Sequence, residues 1–179
     1  SAPSGAASVG CTRGVAVQQN PHPGRHVKAR PLGSSTFTLG AGNTLALFDA
    51  GQSLAMAVPG YPAYRNIAIA TGLHPLFIDC RERTEFRLTA AALAGAEGIH
   101  GALIASPANP SGTVIGAPEL AEIVGVCAKR KLWLISDEIY HGITYEGPAR
   151  TALAISSDVV VVNSFSKYFS MTGWRIGWM

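Results

Sequence analysis

The sequence predicts an α/β fold, a mostly parallel sheet flanked by helices, and three observations predict it. Short runs that are apolar throughout recur along the chain, as strands covered on both faces require. Segments with apolar residues at helical spacing alternate with those runs, the order of right-handed β-α-β units. Polar residues gather directly after several of the runs, at the carboxyl ends of strands, beyond which such sheets bind their ligands.

Composition agrees with this class and excludes others. The chain has 179 residues, 47% hydrophobic and 14% charged, against roughly 25% charged in an ordinary domain. That is enough to bury a core, yet no stretch approaches the roughly 20 apolar residues of a membrane span, so no membrane role is expected. The net charge of +3 is uneven: residues 1–48 hold Arg13, Arg25, Lys28 and Arg30 and no acid, while the remainder carries ten basic and eleven acidic side chains. A body at −1 offers no basic face to nucleic acid. Cys11, Cys80 and Cys127 are odd in number and widely spaced, which argues against a disulfide framework or zinc site and for a reducing, cytoplasmic setting. His22 and His26 have i,i+4 spacing within PHPGRH, but Pro and Gly forbid the helix that would align them. No metal site is expected.

Taken in order, residues 1–31 hold no Leu, Ile, Phe, Tyr or Trp and are expected to form a disordered or aberrant N-terminal segment. Arg without acid gives them the flavour of a transit peptide, but they lack a periodic apolar face. SLAMAV (53–58) predicts a strand, YPAYRNIAIATGL (61–73) a helix closed by Gly72, and LFIDC (76–80) a second strand. LTAAALAGA (88–96) predicts a helix with Thr89 as N-cap, followed by a strand at GALIAS (101–106). Leu120, Ile123, Val124 and Cys127 recur at i, i+3, i+4 and i+7, which predicts a helix over about 117–130. LWLIS (132–136) and DVVVVNS (158–164) complete the strands.

The strand ends carry the chemistry. PANPSGT (107–113) follows the third strand, DEIYHGITY (137–145) the fourth, and Ser164, Phe165, Ser166 and Lys167 end the fifth. A lysine leaving a buried strand is expected to have its ammonium partly desolvated, which frees the amine as a nucleophile toward a carbonyl; the plainer reading is a surface lysine in a turn. Asp137 at the ligand edge needs a cationic partner or strong donors, unless it caps a helix beginning at Glu138. Tyr140 lies three residues on, on the same face of a helical turn. Asn109 before Pro110 is also a good turn residue. Two weaker matches are set aside. Ser164–Lys167 fits S-x-x-K but follows a strand, and neither SDN nor KTG occurs. Gly40–Leu45 nearly makes a dinucleotide fingerprint but lacks its third small residue and its later acid.

Four segments, PGYPAYRN (59–66), PANPSGT (107–113), SDEIYHGITY (136–145) and SFSKYFSMTGWRIGWM (164–179), resemble in order and spacing the class I/II aminotransferases of the aspartate aminotransferase superfamily. Those enzymes use pyridoxal 5′-phosphate on the fold type I scaffold. The resemblance implies that Lys167 forms the Schiff base with the cofactor and then moves a proton between substrate and cofactor. Asp137 would pair with the pyridinium nitrogen, Asn109 and Tyr140 with the phenolic oxygen, and Tyr61 would stack on the ring. Ser164 and Arg175 match phosphate ligands, with Ser166 in the same group; Arg175 stands eight residues after Lys167, and its forked guanidinium suits a phosphate dianion. Gly33, Ser34 and Ser35 resemble the turn that opens the family's phosphate-binding helix, although the TFTLGAGN that follows is poor helix former.

The resemblance further implies that residues 32–179 are part of the large cofactor-binding domain, in a three-layer α/β/α arrangement, without the small C-terminal domain that binds the substrate carboxylate. The expected reaction is amino transfer from an amino acid to a 2-oxo acid, and the expected full-length form a homodimer. The rivals are another fold type I enzyme such as a carbon–sulfur lyase, a non-catalytic cofactor-binding effector domain of a transcription regulator, and a fragment inactive by itself.

Overall fold

The computed structural model describes residues 47–179. Gly33, Ser34 and Ser35, the Gly40–Leu45 run and the segment 1–31 lie outside the described residues. Among the described residues, six strands and three helices follow in the order β1 (Ser53–Val58), α1 (Pro62–Ala70), β2 (His74–Asp79), α2 (Ala90–Gly95), β3 (Gly101–Ala105), α3 (Ala117–Arg130), β4 (Trp133–Asp137), β5 (Val160–Ser164) and β6 (Gly177–Trp178). Single 3₁₀ turns occupy Glu82–Thr84, Ala152–Ala154 and Thr172–Trp174.

The strands form one sheet in the order β2-β1-β3-β4-β5-β6. The first five are parallel, with Ala105 opposite Asp137 and Asp137 opposite Val162. Short β6 runs antiparallel to β5 and pairs Gly177 with Ser164. Side chains alternate across the sheet and meet helices on both faces. On one, α1 residues Tyr64 and Ala68 pack with Leu54, Met56, Leu103, Trp133, Ile135 and Val162. On the other, Leu93 of α2 and Leu120, Ile123 and Cys127 of α3 cover Ala55, Ala102, Ile104, Leu134 and Val161. Leu93 and Ile123 are wholly enclosed, a burial that stabilises by roughly 1.5–3 kcal/mol per side chain.

Local chemistry accounts for the element ends. The Thr89 hydroxyl accepts from the Ala92 N–H at 3.2 Å, the predicted cap of α2. Arg130, in the last turn of α3, donates to the Leu93 carbonyl and, at 2.7 Å, to that of Ala96, which satisfies groups that the end of α2 leaves open. The helix predicted to run to Gly72 stops at Ala70, because the Thr71 hydroxyl turns back onto the Ile67 carbonyl at 2.8 Å and Gly72 takes φ +78°. β2 begins two residues earlier than predicted and is not covered on both faces: it is the sheet edge, and Phe77 is half-exposed there. β4 ends on Asp137 rather than before it, and no helix begins at Glu138.

Candidate active site

The carboxyl ends of β1, β3, β4 and β5 bring most of the predicted residues to one edge. Strand parity decides which way Asp137 faces. It shares a side with Trp133 and Ile135, the face that α1 covers, and is 1% exposed. There its Oδ2 accepts a hydrogen bond from the Tyr64 hydroxyl at 2.6 Å, while Oδ1 accepts from the Ile139 N–H at 3.0 Å. The two donors replace the water that burial removes. Burial pushes the Asp137 carboxyl above the ordinary carboxylate range, Glu138 adds to that, and the bonds from Tyr64 and Ile139 and the nearby His141 oppose it. Burial also drives the Tyr64 hydroxyl far up, reinforced by the charge of Asp137.

The predicted helical turn from Asp137 to Tyr140 is a non-helical turn instead, because Asp137 spends a carboxylate oxygen on the N–H two residues on, which favours an Asx turn over a helix. Tyr140 is half-buried in that turn. The amine of Lys167 stands 5.8 Å from the centre of its ring. Gly142, in the same turn, admits the neighbouring Tyr168 closely: its φ is +84°, and a Cβ there would lie 2.6 Å from the Tyr168 ring. The lysine itself is exposed rather than partly desolvated, since it sits on the turn that leaves β5.

That turn holds three more predicted residues. Ser164 and Ser166 are both buried, and the Ser164 hydroxyl accepts from the Ser166 N–H at 3.1 Å. The Phe165 N–H reaches the Ile176 carbonyl at 3.1 Å, so the pairing of β5 with β6 folds Arg175 back toward the end of β5. Arg175 has φ +52° and donates Nη1 to the Thr172 carbonyl at 2.9 Å. Tyr61, the N-cap of α1, is half-buried and meets Tyr64 edge to face, with centroids 5.4 Å apart and planes at 84°. Asn109 sits in the loop after β3, which Ser106 closes by accepting from the Ile115 N–H at 2.9 Å. Asn109 and Tyr140 line one open cleft of about 870 Å³, together with Arg87, Thr113 and Tyr145.

Sequence reasoning missed Tyr64, Glu138 and β6. Tyr64 meets Asp137 across 73 positions of sequence; its one signal was strand parity, which sends Asp137 toward α1. Glu138 is 2% exposed and accepts from the Ala152 N–H at 2.8 Å and the Ser136 hydroxyl at 3.2 Å, with His141 Nδ1 at 3.4 Å from its other oxygen. It pins the Tyr140 turn to the segment before β5. Among the described residues, no group of three or more His, Cys, Asp or Glu could hold a metal ion.

Comparison with known proteins gives this edge a lineage. Residues 28–179 match the family described as aminotransferase class I and II. A valine–pyruvate aminotransferase of Mycobacterium tuberculosis is 52% identical over 138 residues, 75% of this chain and 36% of that protein. An aspartate aminotransferase of Geobacillus stearothermophilus is 32% identical over 139 residues, 74% of this chain and 35% of that protein. The crystal structure of an aminotransferase from Mycobacterium tuberculosis superposes with a TM-score of 0.72 at 53% identity, over 75% of this chain and 37% of that one. The chain thus spans little more than a third of the length of the relatives it matches. With the family match extending over most of its length, the chain belongs to the class I and II aminotransferases.

Proposed function

We propose that residues 32–179 form part of the large domain of a pyridoxal 5′-phosphate-dependent aminotransferase, which moves an amino group from an amino acid to a 2-oxo acid. The observation that carries this reading is the buried Asp137 carboxylate at the end of β4, held by Tyr64 and Ile139, beside a strand that ends in Ser164 and leads to Lys167.

The residues fit the cofactor. A carboxylate has about four acceptor positions, and the two bonds from Tyr64 and Ile139 leave Asp137 capacity for a protonated ring nitrogen. Arg175 donates one of its several N–H groups to Thr172 and retains others for a phosphate. When bound, pyridoxal phosphate supplies an aldehyde that takes up an amine and a ring that accepts the electron pair left at the substrate Cα.

In this reading the side chains divide the work. Asp137 keeps a proton on the ring nitrogen, which lets the ring draw electrons. Lys167 would hold the cofactor through Nζ, and the same Nζ would serve as the base for a proton at the substrate Cα. Exposure on a turn beside Tyr140 gives the amine room for both tasks. Tyr61 would stack on the ring, and Asn109 and Tyr140 would hydrogen-bond the phenolic oxygen. Ser164, Ser166 and Arg175 bind the phosphate, joined by Gly33, Ser34 and Ser35 from outside the described residues. The proposed working form is a homodimer and the proposed setting the cytoplasm. Among the described residues no helix is long and apolar enough to cross a membrane.

The name of the Mycobacterium tuberculosis relative supplies the first substrate pair to try. The protein, supplied with pyridoxal phosphate, valine and pyruvate, is expected to yield alanine and the 2-oxo acid of valine; other amino donors follow if it does not. Release of pyruvate and ammonia from a cysteine S-conjugate, with no amino transfer from any donor, would replace this reading by a carbon–sulfur lyase.

A further inference from the structure

We propose that Tyr64 is a positioning residue that ties the two sides of the site together: its hydroxyl sets the orientation and charge of Asp137, and its ring sets the plane of Tyr61. The inference deepens the cofactor reading above and rests on it. Tyr61 and Tyr64 bracket the first turn of α1, with the Tyr64 N–H bonded to the Tyr61 carbonyl at 3.1 Å and Pro62 between them fixing the start of the helix. Side chains of a helix lean toward its N-terminus, which here is the ligand edge of the sheet. Tyr64 is buried, and the 2.6 Å separation of its hydroxyl from Asp137 falls in the range of a charge-assisted hydrogen bond. Because Ile139 takes the other oxygen, the carboxylate is held at both ends and cannot turn about its own bond.

The ring of Tyr64 presents its edge to Tyr61, a geometry that aromatic pairs prefer. One side chain therefore touches both the acid expected to pair with the ring nitrogen and the aromatic expected to stack on the ring. Glu138 and His141 face Asp137 from its own turn, and Tyr140 and Tyr61 face Tyr64. Of these, Tyr64 is the donor that reaches the carboxylate from another element. Without its hydroxyl the charged form of Asp137 loses a stabilising bond, and its proton affinity rises.

Tyr64→Phe removes the hydroxyl and keeps the ring. In the protein without cofactor, ¹³C-carboxyl titration is expected to show the Asp137 midpoint at higher pH in Tyr64→Phe than in wild type. With cofactor, the affinity read from its visible absorbance band is expected to fall about tenfold or more, the equivalent of losing one hydrogen bond to a charged group. That loss should vanish when Tyr64→Phe is combined with Asp137→Asn, since there is then no charge to support. Tyr64→Leu should bind more weakly than Tyr64→Phe, because Tyr61 loses its neighbour as well. An unmoved carboxyl midpoint, or an equal loss of affinity with and without the Asp137 carboxylate, would reduce Tyr64 to a packing residue. Equal affinities of the Phe and Leu variants would remove Tyr61 from the coupling. A wild-type protein that binds no pyridoxal phosphate would overturn the cofactor reading, while the carboxyl titration would still judge the Tyr64–Asp137 bond.

Discussion

Glu138 carries a sharp stability prediction because one of its carboxylate oxygens accepts from two buried residues. Its Oε1 accepts from the Ala152 N–H at 2.8 Å and the Ser136 hydroxyl at 3.2 Å, and Ala152 and Ser136 are both buried. Glu138→Ala strands the amide, which costs about 1–3 kcal/mol, and removes the Ser136 bond, about 1 kcal/mol more. The expected total is about 3 kcal/mol. Glu138→Gln retains a carbonyl oxygen for Ala152 and loses chiefly the charge facing His141, a partner 18% exposed, so about 1 kcal/mol is expected. The two variants should then differ by about 2 kcal/mol, roughly thirtyfold in the folding equilibrium. Urea unfolding followed by circular dichroism measures it. Equal stability of the Ala and Gln variants would show that the Ala152 bond contributes nothing and that Glu138 does not anchor the Tyr140 turn.

Two glycines should respond in opposite directions to the same change. Gly142→Ala meets the Tyr168 ring at φ +84° and is expected to cost about 1–3 kcal/mol, whereas Gly125→Ala, in α3 with open space around it, should stabilise by about 0.5–1 kcal/mol; thermal unfolding compares them. Asp137 predicts a pH dependence in the protein without cofactor. Its carboxyl lies above the ordinary value of 3.8, so the folded state binds the proton more tightly than the unfolded one and loses stability as pH rises and the group ionises. Asp137→Asn removes that cost while its amide can still serve Tyr64 and Ile139. The urea midpoint of the variant should therefore exceed wild type most at neutral pH, and the difference should shrink as pH falls toward the ordinary carboxylate value. A difference that grows on acidification would reverse the assignment.

Most of the layered fold was legible because the evidence for it is local. The 3.6-residue spacing of Leu120, Ile123, Val124 and Cys127 fixed both the extent of α3 and its buried face, and the apolar runs at β1, β3, β4 and β5 needed no partner to be read. The order and edges of the sheet were set by distant contacts. Whether β2 is central or at an edge depends on strand order, which the run LFIDC does not contain. The two residues of β6 are strand only because β5 offers them a partner. In the site, the family motifs pointed to Asp137, Tyr140, Asn109 and Lys167, and the structure brings their segments to one edge. The turn after β4 was misread because the Asp137 carboxylate bonds two residues ahead instead of opening a helix. Tyr64 was overlooked although it lies inside a quoted motif, since a tyrosine on a helix reads as core until its hydroxyl is seen to meet a carboxylate.

Whether Lys167 anchors pyridoxal phosphate is decided by trapping the linkage. The protein is mixed with pyridoxal phosphate, reduced with borohydride, digested and analysed by mass spectrometry. A single stable adduct is expected on the peptide containing Lys167, with the visible absorbance band of the unreduced complex lost in Lys167→Ala. An adduct confined to other lysines, or a band that survives Lys167→Ala, would contradict it.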